Sequence, residues 1–251
     1  MQKLKIVIKG EIINFCEPTK KFAGGDTWYK WLNDPYINKN LDNKYRRTKN
    51  TKKKQIAFFI NQKKDCRKIF IISTKNHIYK GVVSLSKIDN LNKSCDISLI
   101  TDTKIEPLIA PYAGLEAMAL MSNYAFSKLK LKRIDCAFVL NQKNWQQRTE
   151  LLGYKHFFRS KHRAKTYSSD WCSNISSMAD LEIKDLENAY YYTSLSYKNF
   201  KSLTKKRGKL WDGMKSMKKR ISKLSNDTFI DVFNKFLTED KKRYYDKIYK
   251  L

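Results

Sequence analysis

Glycine and proline are scarce, with eight and four among 251 residues, which excludes collagen-like and low-complexity disordered chains. His77, His156 and His162 are the only histidines. No two of them stand at i, i+4 on a helix, so no metal site is expected. No motif supports a Ser-His-Asp or Cys-His nucleophile. The five cysteines, at 16, 66, 95, 136 and 172, are odd in number and form no C-x-x-C pair. They fit neither a zinc site nor a secreted disulfide framework, and a reducing cytoplasm is the expected compartment. No apolar run reaches the roughly 18 residues of a membrane span, and the start MQKLKIVIKGEIINF lacks the apolar core of a signal peptide. No repeat of 20–50 residues is present, which excludes a solenoid (periods of about this size mark them). Acidic side chains are also few, 24 against 52 basic ones, for a net charge of +28.

What is present is a globular chain. Hydrophobic residues make up 41%, enough for a core, and the length suits one domain with an appendage or two small ones, at about 150 residues each. So basic a chain favours polyanionic partners: nucleic acid, anionic membrane or phosphate-bearing small molecules. The charge is spread, however. Residues 1–178 hold 34 basic against 14 acidic side chains, and residues 179–251 hold 18 against 10. Basic residues are not interleaved with aromatics on one helix face and no nucleic-acid motif appears, so nucleic acid is not the expected partner.

Leu4, Ile6 and Ile8 alternate with lysines, the period of a half-buried strand. Thr27–Leu32 reads as a short helix stopped by Pro35. The basic run 44–54 reads as a solvated loop, followed by a helix with Ile56, Phe59 and Ile60 on one face. Ile69–Ser73, Ile78–Leu85 and Cys95–Ile100 are β-branched runs separated by Asn, Lys and Asp turns, hence antiparallel strands. Pro111 introduces a long helix over about Tyr112–Lys130. Arg133–Leu140 is another strand, and Asn144–Leu152 a short helix closed by Gly153. Strands at Tyr154–Lys161 and about Lys165–Ile175 complete the β-rich part. After Ser177 the pattern predicts helices only. Leu210, Met214, Met217, Ile221 and Leu224 form one stripe, and Phe229, Val232, Phe233 and Phe236 another. These faces call for burial, on the sheet domain or in a homodimer through the C-terminal helices.

Several stretches, in this order, are similar to those of the GNAT acyltransferases. Trp31-Leu32-Asn33-Asp34-Pro35 resembles an early W-L-N-D-P. Gly81-Val82-Val83-Ser84-Leu85 with Ile88-Asp89 resembles G-x-x-x-L-x-x-I-D. Cys95-Asp96-Ile97 stands where A-E-I is common. Tyr124-Ala125-Phe126, Leu129, Leu131 and Arg133-Ile134 resemble Y-A-F-x-x-L-x-L-x-R-I, and Leu152-Gly153-Tyr154 resembles L-G-F/Y. The resemblance spans about residues 1–176. It implies an α/β (α+β) fold, a mixed and mostly antiparallel central sheet flanked by helices, in a domain 1–177. The segment 178–251 would be an all-helical extension.

The resemblance also implies acetyl-CoA as acyl donor. In the family a Q/R-x-x-G-x-G/A loop offers backbone amides to the pyrophosphate at a helix start, where free N–H groups and the positive dipole end favour an anion. Here Ile109 replaces the polar residue, Tyr112 stands at the first Gly, and only Gly114 is kept. Tyr112, Ala113, Gly114 and Leu115 are the expected phosphate contacts, against the plainer reading of a Pro-initiated helix without a ligand. Ile97 and Leu99, on the strand Cys95–Ile100, would pair their backbone with the pantetheine. Asp96 is the candidate base, Glu106 the second; Asp96 is otherwise a solvent-facing strand residue. Thr149 occupies the position of the family's tyrosine general acid, which is therefore not carried over. The neighbouring Arg148 could hold the thiolate or a phosphate. Asn144 reads as a cofactor contact or as a helix N-cap, and Trp28 and Trp31 as lining for an acceptor pocket or as core. The function implied is N-acetylation of a small amine, an amino sugar or nucleotide-linked amino sugar for surface glycans. The rival reading is a degenerate GNAT-fold module that binds nucleic acid through its basic surface.

Overall fold

The computed structural model describes residues 3–38, 49–102, 110–139, 149, 152–160 and 190–206. They fall into two compact units, residues 1–135 and 136–251.

The first unit opens with β1 (Ile6–Lys9), a tight turn at Gly10, and β2 (Ile13–Cys16), paired antiparallel. The alternation at Leu4, Ile6 and Ile8 predicts β1; β2, buried on both sides, shows no alternation to read. Short helical turns follow at α1 (Lys20–Ala23), capped by Thr19 Oγ1, at α2 (Trp28–Asn33) and at α3 (Pro35–Asn38). Pro35 ends α2 as predicted and begins α3, because a proline lacks only an N–H that a first helical residue does not use. Asn33 exchanges two hydrogen bonds with the backbone of Asn50, at 2.8 and 3.0 Å. That clamp sets the entry to α4 (Lys52–Ile60), whose N-cap Thr51 accepts from the Lys54 N–H.

Three antiparallel neighbours come next, β3 (Lys68–Thr74), β4 (Tyr79–Asp89) and β5 (Ser94–Thr101). The helix α5 (Ala110–Ser127) leads back to β6 (Arg133–Val139), which starts parallel to β5. The sheet is thus mixed and mostly antiparallel, as the sequence predicts. Residues directly opposite in register share a face. Ile69, Ile71 and Val82 pack with Phe22, Trp28 and Trp31, so this face carries α1, α2 and α4. Phe70, on the other face, meets Tyr124 of α5 edge-on at 5.2 Å.

In the second unit β7 (Lys155–Ser160) pairs antiparallel with β8 (Tyr190–Ser196), and α6 (Tyr197–Lys206) follows. Gly153 has φ 89° and the Tyr154 N–H reaches back to the Thr149 carbonyl at 3.2 Å, the closure expected after a helix. β8 corrects the reading of helices alone after Ser177. Tyr190, Tyr191, Tyr192 and Thr193 are strand formers, and the hydroxyl of Thr193 points at the Cys136 carbonyl, 3.5 Å away. The stripes at 210–224 and 229–236, the strand at 165–175 and the boundary at 177 lie outside the described residues.

Candidate active site

The parallel pairing of β5 with β6 joins Ser94 to Arg133, Cys95 to Ile134 and Asp96 to Asp135. From Ile97 to Thr101, β5 remains paired with β4 from Leu85 to Gly81. Among the described pairings its other edge has no strand beyond Asp96. A strand edge of this kind presents N–H and C=O groups that an extended ligand can pair with. Close approach of β4 and β5 needs Gly81, where a Cβ would collide with the Ile100 carbonyl.

Asp96 stands where the pairing with β6 stops, on the face that carries α1, α2 and α4. With Ser84, Ser86 and Ser98 it forms the polar part of that face, for these residues pair as Ser86–Asp96 and Ser84–Ser98. Its carboxylate lies 2.7 Å from Lys87 Nζ, with side-chain exposures of 37% and 74%. An ion pair so exposed is weak (about 0–1 kcal/mol), so an incoming ammonium group can take the place of Lys87. Asp135 sits opposite Asp96 and 3.1 Å from Arg133 Nε. Burial pushes its carboxyl above the usual range, Arg133 pulls it down, and the charge of Asp96 pushes it further up. Nothing in the local sequence singled out Asp135; only the register joins it to Asp96.

Ile97 and Leu99 lie on the α5 side of β5, Ile97 buried. The helix α5 begins at Ala110, earlier than predicted, which alters the cradle. In an α-helix the N–H of residue i bonds the carbonyl of i−4, so the Gly114 and Leu115 amides are used within the helix, with Leu115 buried. Among the described residues at this helix start, the amides of Ala110 and Tyr112 are those a helix leaves without an intrahelical partner, Pro111 having none. Ala113, Gly114 and Leu115 stand behind them.

Trp28 and Trp31 are 1% and 5% exposed, in the cluster of Phe22, Ile69 and Ile71. Trp28 meets Phe58 edge-on at 5.9 Å. The structure therefore makes both core, and they are withdrawn as acceptor contacts: a short amphipathic helix turns its largest apolar side chains onto the sheet. Thr149 is buried. Glu106, Asn144 and Arg148 lie outside the described residues.

Sequence reasoning missed Glu116. It is fully buried on α5, and its carboxylate accepts the backbone N–H groups of Glu11, Ile12 and Ile13 in the β1–β2 turn, the last two at 2.8 Å. Burial pushes its carboxyl up while these amides and Lys75 pull it down. A lone acid inside the apolar run Leu115–Met121 was the available signal. No group of three or more His, Cys, Asp or Glu side chains is placed to hold a metal among the described residues. No described helix is long and apolar enough to cross a membrane.

No family model matches the sequence, and no curated protein matches it. Solved structures do. A spermidine N-acetyltransferase from Vibrio cholerae, in complex with CoA and spermine, is similar at TM-score 0.57 and 9% identity, over 76% of this chain and 99% of that one. A ribosomal-protein-S5-alanine acetyltransferase from Vibrio fischeri gives 0.55 and 15%, over 78% and 99%. The microcin C7 self-immunity acetyltransferase MccE, in complex with acetyl-CoA and AMP, gives 0.52 and 18%, over 74% and 93%. The fold is that of the GNAT acetyltransferases.

Proposed function

We propose that this chain is an acyltransferase that moves an acetyl group from acetyl-CoA to a small amine. The observation that carries the reading is the end of β5–β6 pairing at Asp96–Asp135, which among the described pairings leaves Ile97–Thr101 paired with β4 alone. Backbone groups of Ile97 and Leu99 suit the pantetheine amides, and the amides at Ala110 and Tyr112 suit the pyrophosphate. Structures of the same fold holding acetyl-CoA and AMP, or CoA and spermine, support such ligands.

Acetyl-CoA supplies an acyl carbon activated as a thioester. Asp96 takes a proton from the acceptor ammonium, directly or through one water, so that the nitrogen lone pair can attack. The new C–N bond forms as the C–S bond breaks, the CoA thiolate leaves, and the nitrogen gives up its second proton to water to become the amide. With Thr149 in place of a tyrosine acid, the thiolate takes its proton from water or is held by Arg148. Glu106 is the second candidate base and Asn144 a cofactor contact. For the acceptor we read an amino sugar or its nucleotide-linked form, whose phosphates suit a chain of net charge +28.

The test is a thermal shift with acetyl-CoA beside one with a short DNA duplex, followed by transfer assays on amino sugars, spermine and a peptide N-terminus. Stabilisation by acetyl-CoA and acetylation of an amino sugar is the expected result. A shift with DNA alone would replace the enzyme by a nucleic-acid-binding module. Transfer to spermine or peptide alone would keep the enzyme and overturn the sugar.

A further inference from the structure

The carboxylate of Glu116 is not spent on its own helix. Three consecutive amides of the β1–β2 turn, Glu11, Ile12 and Ile13, converge on its two oxygens. Successive N–H groups of a turn make such a concavity for an anion, and here the anion is a side chain of α5. The turn is shaped for it. The Gly10 N–H bonds the Ile13 carbonyl at 2.9 Å. A Cβ at Gly10 would run into both that carbonyl and the Glu116 carboxylate. From the outside Lys75 Nζ closes the turn, bonding the Gly10 carbonyl and, at 3.1 Å, Asn14 Oδ1.

Where this lock sits matters more than its strength. Glu116 is one helical turn beyond Tyr112, and its own N–H bonds the Tyr112 carbonyl by the i to i−4 rule. Tyr112, whose amide a helix leaves without an intrahelical partner, is thus tied, through one turn of helix, to a carboxylate pinned on the β1–β2 turn. Apolar packing is non-directional and does not by itself fix the rotation or axial position of a helix as hydrogen bonds do. Three charge-assisted hydrogen bonds to backbone amides of the turn hold both in place.

Resting on the acyl-CoA reading above, we propose that Glu116 is a positioning residue for the donor's pyrophosphate. It sets the start of α5 in register with the sheet, so that the amides of Ala110 and Tyr112 are held where the phosphates bind. The lock replaces in part the flexible glycine that Tyr112 displaces: amides that cannot be brought close by a loose loop must be held in place by the fold.

The experiment compares acetyl-CoA with S-acetylpantetheine, which carries the same thioester and no pyrophosphate, on the full-length chain. Glu116→Gln replaces one acceptor oxygen by a donor facing the turn's N–H groups. Lys75→Met loosens the turn from its exposed side and leaves the buried carboxylate intact, so one folded variant is retained if the first fails to fold. Calorimetry should show acetyl-CoA affinity reduced at least tenfold in Glu116→Gln and about two- to fivefold in Lys75→Met. In both, kcat/KM on S-acetylpantetheine should stay within twofold of the parent protein. Equal losses on the two donors would make Glu116 an ordinary core contact and overturn the proposal. Unchanged acetyl-CoA affinity in the folded variants would overturn it as well. A parent protein that binds no acetyl-CoA would show in the first titration, and the acyltransferase reading itself would then fall.

Discussion

Asp96 and Asp135 share one row of the sheet, yet their surroundings assign them different work. Asp96 is the more open of the two and is paired with an exposed lysine, whereas Asp135 is paired with the arginine two residues before it. Proton transfer calls for the accessible group, so Asp96→Asn should lower turnover by roughly 10²–10⁴-fold and leave the Michaelis constant for acetyl-CoA nearly unchanged. The asparagine keeps shape and hydrogen bonding while removing the base. Higher pH should recover part of the rate, because more of the amine then arrives deprotonated. A lysine-like amine should recover later than a sugar amine, whose own pKa is lower. The check is a pH–rate profile of both proteins. Superimposable profiles would move the role to Glu106 or to bulk water.

At the scale of the element, the acyltransferase reading gives α5 two tasks: its start would face the pyrophosphate, while its buried face holds it to the sheet. A helical side chain covers the turn N-terminal to its own Cα, so whatever stands at Gly114 leans back toward the amides of Ala110 and Tyr112. Gly114→Val should therefore weaken acetyl-CoA binding at least tenfold, equivalent to about 1.4 kcal/mol. Calorimetry on a variant shown by melting to be folded decides the matter. Full affinity would place the pyrophosphate elsewhere. The same element shows how local chemistry and packing divide the labour. Pro111 and the apolar spacing announce the helix, but the β1–β2 turn settles where along its length it is pinned.

For the whole molecule, the domain boundary expected at residue 177 is open to a direct test. β8 pairs with β7 from Lys155–Ser194 to Ser160–Tyr190, and Leu195 and Thr193 are fully buried. A chain ended after Ser177 loses that partner, and an unpaired strand edge invites aggregation. We expect such a fragment to be largely insoluble or to melt without cooperativity, where the full chain melts as a cooperative protein. Expression, light scattering and thermal melting test this. A soluble fragment with a sharp transition and the same acetyl-CoA shift would restore residues 1–177 as an autonomous domain.

Periodicity and turn chemistry determined much by themselves. The strands β1, β3, β4, β5 and β6, the helices α2, α4 and α5 and the closure at Gly153 were all legible, because each depends on neighbours a few residues away. The scarcity of His, the lack of a C-x-x-C pair and the absence of long apolar runs narrowed the chemistry before any fold was known. β2 was hidden because burial on both faces removes the alternation that marks a strand. β8 was hidden because its tyrosines stand next to long helical stripes. What only the tertiary structure decided are the relations between distant residues. Trp28 and Trp31 became core because α2 packs on the sheet. Asp135 came beside Asp96 because β5 and β6 pair in that register. Glu116 met the amides of residues 11–13 across more than a hundred positions of chain. A sequence states which groups are present and their local period, whereas a hydrogen bond between remote segments depends on where folding brings them, and that is set by the packing of the whole core.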